Sequence, residues 1–538
     1  MNSLETLESG GYRDVGLTRL RLSCPLGAFP PEILQLGDTL EELDLSDTGL
    51  SELPADLGSA LPKLKSIRLD RCRFAVFPAA LAACPALETA VLRSNHMSRI
   101  PEDALPRTLR CLVLTDNRLA RLPRSISRCR RLAACRLAAN ELRSLPRALA
   151  RCAELTELRL SGNRLRALPR WLFALPKLAF LSFASNPCVS PVANGHPPKP
   201  KGLSGIPWAE LEVQPPPPSP SLSSSSSSTL TTTATTTITY QGLWRQSPHY
   251  AEEVAVTLFR GGRGARDEGC PADELAAWLA AGAHEALTTV LGWVEGHPDE
   301  ESDALRHQGC LVTQAVPEGY ARLGRPPASS PSLSLSSSSS SAGQDAPAPL
   351  AGPAGGLPPQ VVLELLTPLA GALAHLHARR ICHGALAPHN VLASVEDRHA
   401  LLDGFAAATV YAGLGRGAAE AGSGEAEPEQ SDEEEEEEEE EEDPSELPDG
   451  VGGLVERVEV LAFGRLMERL LGGGEPPGPT TAAAQEARGE VEKGLWRLRD
   501  MCVRERASQR PGFDVVATAL EEMMGWRGMM RIPDLAPR

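Results

Sequence analysis

The sequence lacks any long uninterrupted hydrophobic run. No window of the 538 residues approaches 18 consecutive apolar residues, so the sequence predicts no transmembrane helix. The first fifteen residues, MNSLETLESGGYRDV, contain no apolar core of the kind that a secretory signal needs. Both absences favour a cytoplasmic location.

Closely paired cysteines are also missing. The twelve cysteines are scattered along the chain, which is typical of a reduced intracellular protein rather than of a disulfide framework. Cys84, Cys129 and Cys152 recur at one position of a sequence repeat. We therefore predict that they are small buried hydrophobic side chains and not reactive thiols.

The chain has no overall excess of positive charge. Its formal net charge is −17 and its pI is about 5.3, which argues against a nucleic-acid-binding role. The acid is local, because Asp432 to Asp443 is an unbroken acidic run, whereas residues 107–177 carry 17 basic and 4 acidic side chains. One hypothesis is that the acidic run docks on the basic repeats, and its rival is that both clusters serve solubility alone. Docking should weaken with salt, because charges are screened over about 8 Å at physiological ionic strength.

What the sequence does contain is a repeat of the form L-x-x-L-x-L-x-x-N-x-L-x-x-L-P. It recurs every 22 to 24 residues, starting at Leu17, Leu40, Leu64, Leu87, Leu109, Leu132, Leu155 and Leu178. This pattern resembles leucine-rich repeats, whose period is roughly 20–29 residues. Each L-x-L pair points one way from a short strand and can be buried only by stacking repeats. We expect a cap region over 1–16 and an α/β solenoid over 17–190.

An asparagine stands where the chain leaves most of these strands. A buried amide at that turn can satisfy backbone groups of neighbouring repeats. Thr48 and Cys72 hold the same position in two early repeats. The asparagines are Asn95, Asn117, Asn140, Asn163 and Asn186.

The residues that alternate with the strand leucines should form the concave face. They are polar and of mixed charge, and our candidate protein-binding residues are Arg68, Arg93, Arg136, Glu157 and Arg159. Solenoids of this kind usually bind proteins, so we predict a protein partner on this face. The alternative is a solvated face with no specific partner.

Three further stretches have compositions that cannot support a packed core. Residues 191–237 are rich in Pro, Ser and Thr, and residues 326–356 and 413–453 are similarly biased. We predict a disordered linker for the first and disordered surface insertions for the other two. Residues 526–538 form a C-terminal tail.

The second half predicts strands first and helices later, as in a small sheet lobe followed by a larger helical lobe. Alternation favours strands at 238–244, 254–259 and 310–316. Helical periodicity favours helices at 271–283 and 361–378.

Residues 381–410 resemble the catalytic core of a protein kinase. That family has H-R-D-x-x-x-x-N followed by D-F-G. This chain has His383-Gly384-Ala385, then Asn390, then Asp403-Gly404-Phe405. The resemblance covers residues 238–525 and extends to VEVLAFG at 458–464 and to CVRERASQRP at 502–511.

The resemblance implies a bilobal α+β fold with ATP and Mg²⁺ as ligands. His383 would anchor the catalytic loop, and Asn390 and Asp403 would hold the metal. Glu274 would occupy the position of the helix glutamate in the nucleotide site. The combination with leucine-rich repeats, the His-Gly in place of His-Arg, and AAGAH at 280–284 resemble intracellular repeat-plus-kinase proteins of microbes and algae.

Several chemical parts of a kinase are absent. Thr257 replaces the lysine that contacts the phosphates, which leaves Glu274 without its usual partner, and Ala385 replaces the catalytic aspartate. Residues 241–253 contain one glycine, so the backbone is not prepared for close approach to phosphates. Losing a general base typically lowers a rate by a factor of about 10²–10⁴.

The sequence therefore predicts a multidomain signalling scaffold with a solenoid and a catalytically inactive kinase-like domain, called a pseudokinase. A weak or atypical protein kinase whose repeats recruit substrate remains the alternative. A third reading, a repeat-only adaptor with a decayed second half, is disfavoured by the retained Asn390, Asp403 and Arg510.

Overall fold

The computed structural model describes residues 4–11, 16–189, 203–213, 237–247, 249–260, 271–297, 307–324, 356–411, 450–472 and 489–525. The tail predicted over 526–538 lies outside the described residues. So does most of the two predicted insertions, at 325–355 and 412–449.

The first half is a solenoid built on one parallel sheet of eight short strands. They pair in chain order, so each strand hydrogen-bonds only to the repeats before and after it. Helix α1 (Leu4–Glu8) precedes them with Leu7 buried, and α2 (Leu57–Ala60) lies in the second repeat. The strands are β1 (Arg19–Arg21), β2 (Glu42–Asp44), β3 (Ser66–Arg68), β4 (Thr89–Val91), β5 (Cys111–Val113), β6 (Ala134–Arg136), β7 (Glu157–Arg159) and β8 (Phe180–Ser182).

The return side of the solenoid, opposite the sheet, is made of single 3₁₀ turns. Most begin directly after the proline of the Leu-Pro step, where a missing N–H has no consequence. They span Pro31–Leu36, Ala79–Ala83, Arg124–Arg128, Arg147–Arg151 and Arg170–Ala174. The stacked leucines between the two sides are almost fully buried.

The predicted asparagine ladder is confirmed. Asn140 Nδ2 donates to the carbonyls of Leu114 (2.9 Å) and Leu137 (3.0 Å), and Asn140 Oδ1 accepts from the Leu119 amide (3.0 Å). Each asparagine thus satisfies backbone groups of its own repeat and of the repeat before it. In the second repeat the Thr48 hydroxyl bonds to the Leu45 carbonyl at 2.7 Å and lies 3.6 Å from Cys72 Sγ of the next repeat.

Replacing Asn140 by alanine is expected to destabilise the solenoid. Each buried backbone group left without a partner costs about 1–3 kcal/mol, and the substitution strands groups in two repeats. We expect a lower urea midpoint and faster amide exchange over 114–142. Ser144→Ala, at an exposed position of the same repeat, should change stability by less than about 0.5 kcal/mol. Equal behaviour of the two variants would contradict the ladder's structural role.

The predicted burial of the recurrent cysteines is also confirmed. Cys84, Cys129 and Cys152 are at most 2% exposed. Burial raises the pKa of the first two thiols to about 11 and that of Cys152 to about 12. These thiols therefore stay protonated and unreactive at neutral pH.

The second half begins with a six-stranded sheet in the order β10-β11-β12-β14-β13-β9. Its long hairpin and third strand agree with the predicted strand positions. The strands are β9 (Gly205–Pro207), β10 (Leu211–Val213), β11 (Thr237–Ser247), β12 (Tyr250–Arg260), β13 (Val290–Glu295) and β14 (His307–Gln314).

The sheet corrects one part of the linker prediction. Residues 205–213 were assigned to a structureless linker over 191–237, but they form both edge strands of this sheet. Ile206 and Leu211 are buried in its core at 1% and 8% exposure. The segment is short and lies between stretches rich in Pro and Ser. Its alternation of apolar residues was therefore not recognised as a strand pattern.

Helices dominate the rest of the second half. They are α3 (Pro271–Ala281), α4 (Pro359–Ala378), α5 (Gly450–Leu470), α6 (Glu490–Cys502) and α7 (Phe513–Gly525). The predicted insertion over 413–453 therefore ends earlier, because α5 begins at Gly450. Helix α4 is long and apolar enough to cross a membrane by length and composition. Ten of its residues are buried against the other elements, as in the central helix of a globular core.

Short strands form two small sheets from residues before α4 and residues between α4 and α5. Strand β15 (Ala321–Arg322) pairs with β17 (Val391–Ser394), which pairs with β18 (His399–Leu402). Strand β16 (Ile381–Cys382) pairs with β19 (Thr409–Val410). The two small sheets bring residues 381–390 and 399–410 side by side.

The two halves share their hydrophobic cores. Tyr411, Val455 and Val458 of the second half are buried in the core of the repeats. Ala179 of the last repeat is buried in the core of the second half. The second half thus covers the apolar end of the solenoid.

Candidate functional site

The loop after β16 is held by a buried carboxylate on α5. Glu459, 1% exposed, accepts hydrogen bonds from the backbone amides of His383 (3.1 Å) and Gly384 (2.5 Å). Its Oε2 also lies 2.8 Å from His377 Nε2. Burial would raise the pKa of Glu459, but the hydrogen bond and charge of His377 and the loop contacts lower it. The carboxylate is therefore ionised and fixes the path of residues 382–385.

His383 lies fully buried beneath this loop. Its Nε2 is 3.0 Å from the carbonyl oxygen of Asp403, and its ring packs edge-on against Phe405. Burial lowers the pKa of His383, so the neutral imidazole donates its Nε2–H to that carbonyl. This contact ties the ring to residue 403 and leaves the His383 side chain no path to solvent.

Asn390 and Asp403 are brought together as the sequence suggested. The Asp403 amide donates to the Asn390 carbonyl at 2.9 Å, and Asn390 Nδ2 donates to the Ala385 carbonyl at 2.8 Å. Gly404 has φ = 82°, and a Cβ there would lie 2.7 Å from Asn390 Oδ1. Only glycine fits at this point, which explains why Gly404 follows Asp403 directly.

A cation of the chain itself already contacts the Asp403 carboxylate. Arg322, on β15, places Nη2 3.0 Å from Asp403 Oδ2, and its other nitrogen binds the carbonyl of His389. The pair is partly open, with side chains 48% and 24% exposed. Arg322 carried no signal in the sequence, because the kinase resemblance assigns it no role.

Ala385 is 3% exposed and offers no proton acceptor at the position of a catalytic base. Thr257, on β12, hydrogen-bonds to the Thr239 hydroxyl of β11 at 3.1 Å. Glu274 is buried on α3, a helix that packs against β12 and β14. The structure therefore groups His383, Ala385, Asn390 and Asp403, and leaves Thr257 engaged within the sheet.

Three of the candidate concave-face residues form a buried ion triad. Glu157 Oε1 lies 3.0 Å from Arg136 Nε and 2.8 Å from Arg159 Nε, and the side chains are 15%, 10% and 5% exposed. Burial would raise the pKa of Glu157, but the charges of Arg159 and Arg136 lower it to about 2. Glu157 thus stays ionised and orients both guanidinium groups.

The triad faces the second half of the same chain. Arg159 Nη1 donates to the carbonyl of Gly384 at 2.6 Å, in the loop that Glu459 holds from the other side. Gly384 has φ = 74°, and a Cβ there would lie 3.0 Å from the Leu181 carbonyl of β8. Arg136, Glu157 and Arg159 therefore bind within the chain, which corrects their assignment to an open partner-binding surface.

Further contacts surround this junction. The Phe183 amide donates to Thr409 Oγ1 at 3.3 Å, and Ser185 Oγ donates to the Asp273 carboxylate at 2.7 Å. Arg510 Nη2 donates to the Pro176 carbonyl at 3.3 Å. No periodic signal relates residues of the repeats to residues of the second half, so sequence reasoning missed the junction.

The remaining candidates lie on earlier strands. Arg68 is partly exposed on β3, and Arg93, just after β4, lies 3.8 Å from the Asp70 carboxylate. Arg19 and Arg21 of β1 pair with Glu42 and Asp44 of β2. The concave-face side chains of β1–β3 are exposed or partly exposed, whereas Val91 of β4 is buried.

No family model matches the sequence. Many solved structures resemble part of it, among them the two that follow. The leucine-rich-repeat protein LIC12759 of Leptospira interrogans is 28% identical over 32% of this chain and 45% of its own, with a TM-score of 0.31. The plant peptide hormone receptor RGFR1, solved in complex with RGF2, is 28% identical over 34% of each chain, with a TM-score of 0.28. This chain thus spans less than half the length of either protein. The eight stacked parallel strands make residues 19–182 a leucine-rich-repeat solenoid.

Proposed function

We propose that this protein is a cytoplasmic signalling scaffold with a protein-binding solenoid and a protein-kinase-like second half that does not transfer phosphate. The buried Ala385 carries the second part of this proposal. Phosphoryl transfer needs a group that positions and deprotonates the attacking hydroxyl, and the methyl group of alanine does neither. Arg159 also covers the adjacent Gly384 carbonyl from the solenoid side.

The residues fit a Mg²⁺–ATP site only in part. Asn390 and Asp403 supply oxygen donors of the type that Mg²⁺ prefers. The Asp403 carboxylate is, however, already neutralised by Arg322, while the neutral hydroxyl of Thr257 cannot supply a phosphate-binding charge. The two retained oxygen donors are what favours the alternative, a weak or atypical kinase. The described cysteines are free thiols, which supports a reducing compartment.

The partner of the solenoid would dock on β1–β3, since the concave face of β6 and β7 is occupied by the chain itself. The rows of cross-strand ion pairs there suit a polar protein surface of mixed charge. This role rests on the architecture of stacked repeats, which present extended binding surfaces.

A nucleotide titration tests the catalytic half of the proposal. We expect millimolar ATP with Mg²⁺ to leave the melting temperature of the full chain unchanged, whereas a ligand at 100 times its Kd would add about 2.7 kcal/mol of stability. Arg322→Gln is the informative variant, because it frees the Asp403 carboxylate, and it also removes the bond from Arg322 to the His389 carbonyl. Asp403→Ala is the matched control.

Transfer of labelled phosphate should also stay at background in the wild type and in Ala385→Asp. With the base restored, the site would still lack the positive charge that a lysine at the position of Thr257 would supply. A Mg²⁺-dependent shift in the wild type that Asp403→Ala abolishes, together with transfer above that variant's level, would establish the weak kinase instead.

A further inference from the structure

The return side of the last three complete repeats carries a row of arginines. Each 3₁₀ turn there starts with arginine, namely Arg124, Arg147 and Arg170, and two of the turns end with arginine, Arg128 and Arg151. We call these five residues the basic ridge. Consecutive turns pack on one another, so equivalent arginines lie one repeat apart, at a spacing set by the roughly 5 Å between strands.

The ridge is confined to this end of the solenoid. The residues equivalent to Arg124 in the two preceding repeats are Ala79 and Glu102. Solubility alone would not require the arginines to be concentrated at one end of one side of the solenoid. The positive charge is concentrated next to the junction with the second half.

Most of the positive charge on this side is not neutralised within the described part of the chain. Arg128 pairs with Asp103, and Glu102 accepts from the backbone amide of Arg124. In residues 107–170, on the ridge and elsewhere in these repeats, the exposed arginines with no ion-pair partner among the described residues are Arg107, Arg118, Arg121, Arg130, Arg131, Arg143, Arg147, Arg151, Arg166 and Arg170. Such a row repels itself unless an anion lies along it.

The chain supplies an anion of suitable charge from a neighbouring point. Tyr411, the last described residue before the acidic run, is buried in the core of the repeats, and α5 resumes the chain against the turn Arg170–Ala174. Asp443 lies seven residues before Gly450, a distance of up to about 25 Å when extended. Asp432 lies 21 residues after Tyr411, which allows about 70 Å. At the strand spacing the three turns of the ridge span roughly 10 Å, which is shorter than either of these lengths of chain.

We propose that the basic ridge is a docking surface for an extended acidic segment, and that the occupant is the acidic run Asp432 to Asp443 of the same chain. The twelve carboxylates of the run are opposite in charge to the ten unpaired arginines and similar to them in number. Docking in cis keeps the ridge from other polyanions until the run is displaced. The contact depends on exposed charges, so raised ionic strength releases it.

The test uses a fluorescent ten-residue glutamate peptide as a probe in trans. The full chain should bind it weakly at 50 mM salt, and deletion of 432–443 should tighten binding about tenfold or more, because a tethered segment competes at an effective concentration of roughly millimolar. Arg147→Gln/Arg151→Gln/Arg170→Gln in the deleted chain should abolish binding. The control is Arg469→Gln/Arg497→Gln/Arg506→Gln, at exposed arginines of the second half, which should leave binding unchanged.

The remaining outcomes would overturn the proposal. Equal peptide affinity of the full and deleted chains would mean that the run does not occupy the ridge. No binding to the deleted chain would mean that the ridge is not a site for acidic peptides. Tighter binding of a 20-base-pair DNA duplex than of the peptide to the deleted chain, at the same salt, would make the ridge a nucleic-acid surface.

Discussion

Replacing Glu459 by glutamine is expected to lower the free energy of unfolding of the second half by about 3–5 kcal/mol. The carboxylate accepts from two backbone amides and contacts His377, all in a buried setting. Hydrogen bonds to a charged group contribute about 1.5–3 kcal/mol each. A glutamine keeps one acceptor oxygen but turns an NH₂ group toward donors, so at least one backbone amide is left unsatisfied.

Lowering the pH should also destabilise the second half. The pKa of Glu459 is lowered in the folded protein, so its ionisation stabilises the fold in full above its ordinary pKa. That contribution is lost as pH falls through the lower, folded value. The glutamine variant should lack this part of the acid dependence.

Hydrogen–deuterium exchange gives the sharpest readout, because a chain of several units need not unfold in one step. Peptides covering 377–390 and 453–463 should exchange faster in Glu459→Gln, while those of β2–β4 should not change. Glu521→Gln, at an exposed position of α7, is the matched control. Unchanged exchange over 377–390 would show that Glu459 does not hold the loop.

The parts of the fold that repeat in sequence could be predicted in detail. The interval of 22 to 24 residues fixes one strand per repeat, and the buried position of Asn140 follows from the turn it must close. The same reasoning found the burial of Cys129. In each case the structure depends on residues one repeat apart, and the pattern recurs often enough to be recognised.

The parts that depend on unique, distant contacts could not be predicted. Arg159 and Gly384 are separated by 225 positions, and nothing in either local sequence encodes the other. Arg322 reaches Asp403 only because β15 pairs with β17. The concave face was correctly expected to be polar, yet polarity alone does not distinguish a surface for a partner from one for the chain's own loop.

The junction between the halves explains why the solenoid needs no separate cap at its C-terminal end. A stack of repeats exposes apolar surface at its end and requires covering. Here Tyr411, Val455 and Val458 provide that cover. The segment that resembles a catalytic loop therefore packs against the end of the solenoid. Its geometry is coupled to the geometry of the repeats.

Glu157→Gln should reveal that coupling. It is expected to lower the free energy of unfolding by about 3–5 kcal/mol, the usual consequence of removing one member of a buried ion cluster. The substitution leaves Arg136 and Arg159 buried beside a neutral amide. Glu154→Gln is the matched control, because Glu154 pairs with Lys177 at the surface, where both side chains are about half exposed. Its effect should stay below about 1 kcal/mol.

The pH dependence of this effect follows from the pKa of Glu157, which is about 2 in the folded protein against an ordinary value of 4.5. A lowered pKa stabilises the fold at high pH, so the contribution is complete above about pH 4.5 and declines as pH falls toward 2. The shift corresponds to about 3 kcal/mol at pH 7 and to roughly half of that at pH 3. The gap between wild type and Glu157→Gln should narrow accordingly.

The triad could stabilise only the solenoid, or it could also hold the loop of the second half. These two roles predict different patterns of hydrogen–deuterium exchange. If Glu157 orients Arg159 onto the Gly384 carbonyl, amide exchange over 381–386 should accelerate in Glu157→Gln, although those residues lie in the other half of the chain. Arg159→Met, which removes the same hydrogen bond but keeps an apolar stem, should reproduce that acceleration. Faster exchange confined to 134–160 in both variants would mean that the triad supports only the solenoid and that the loop is held by Glu459 alone.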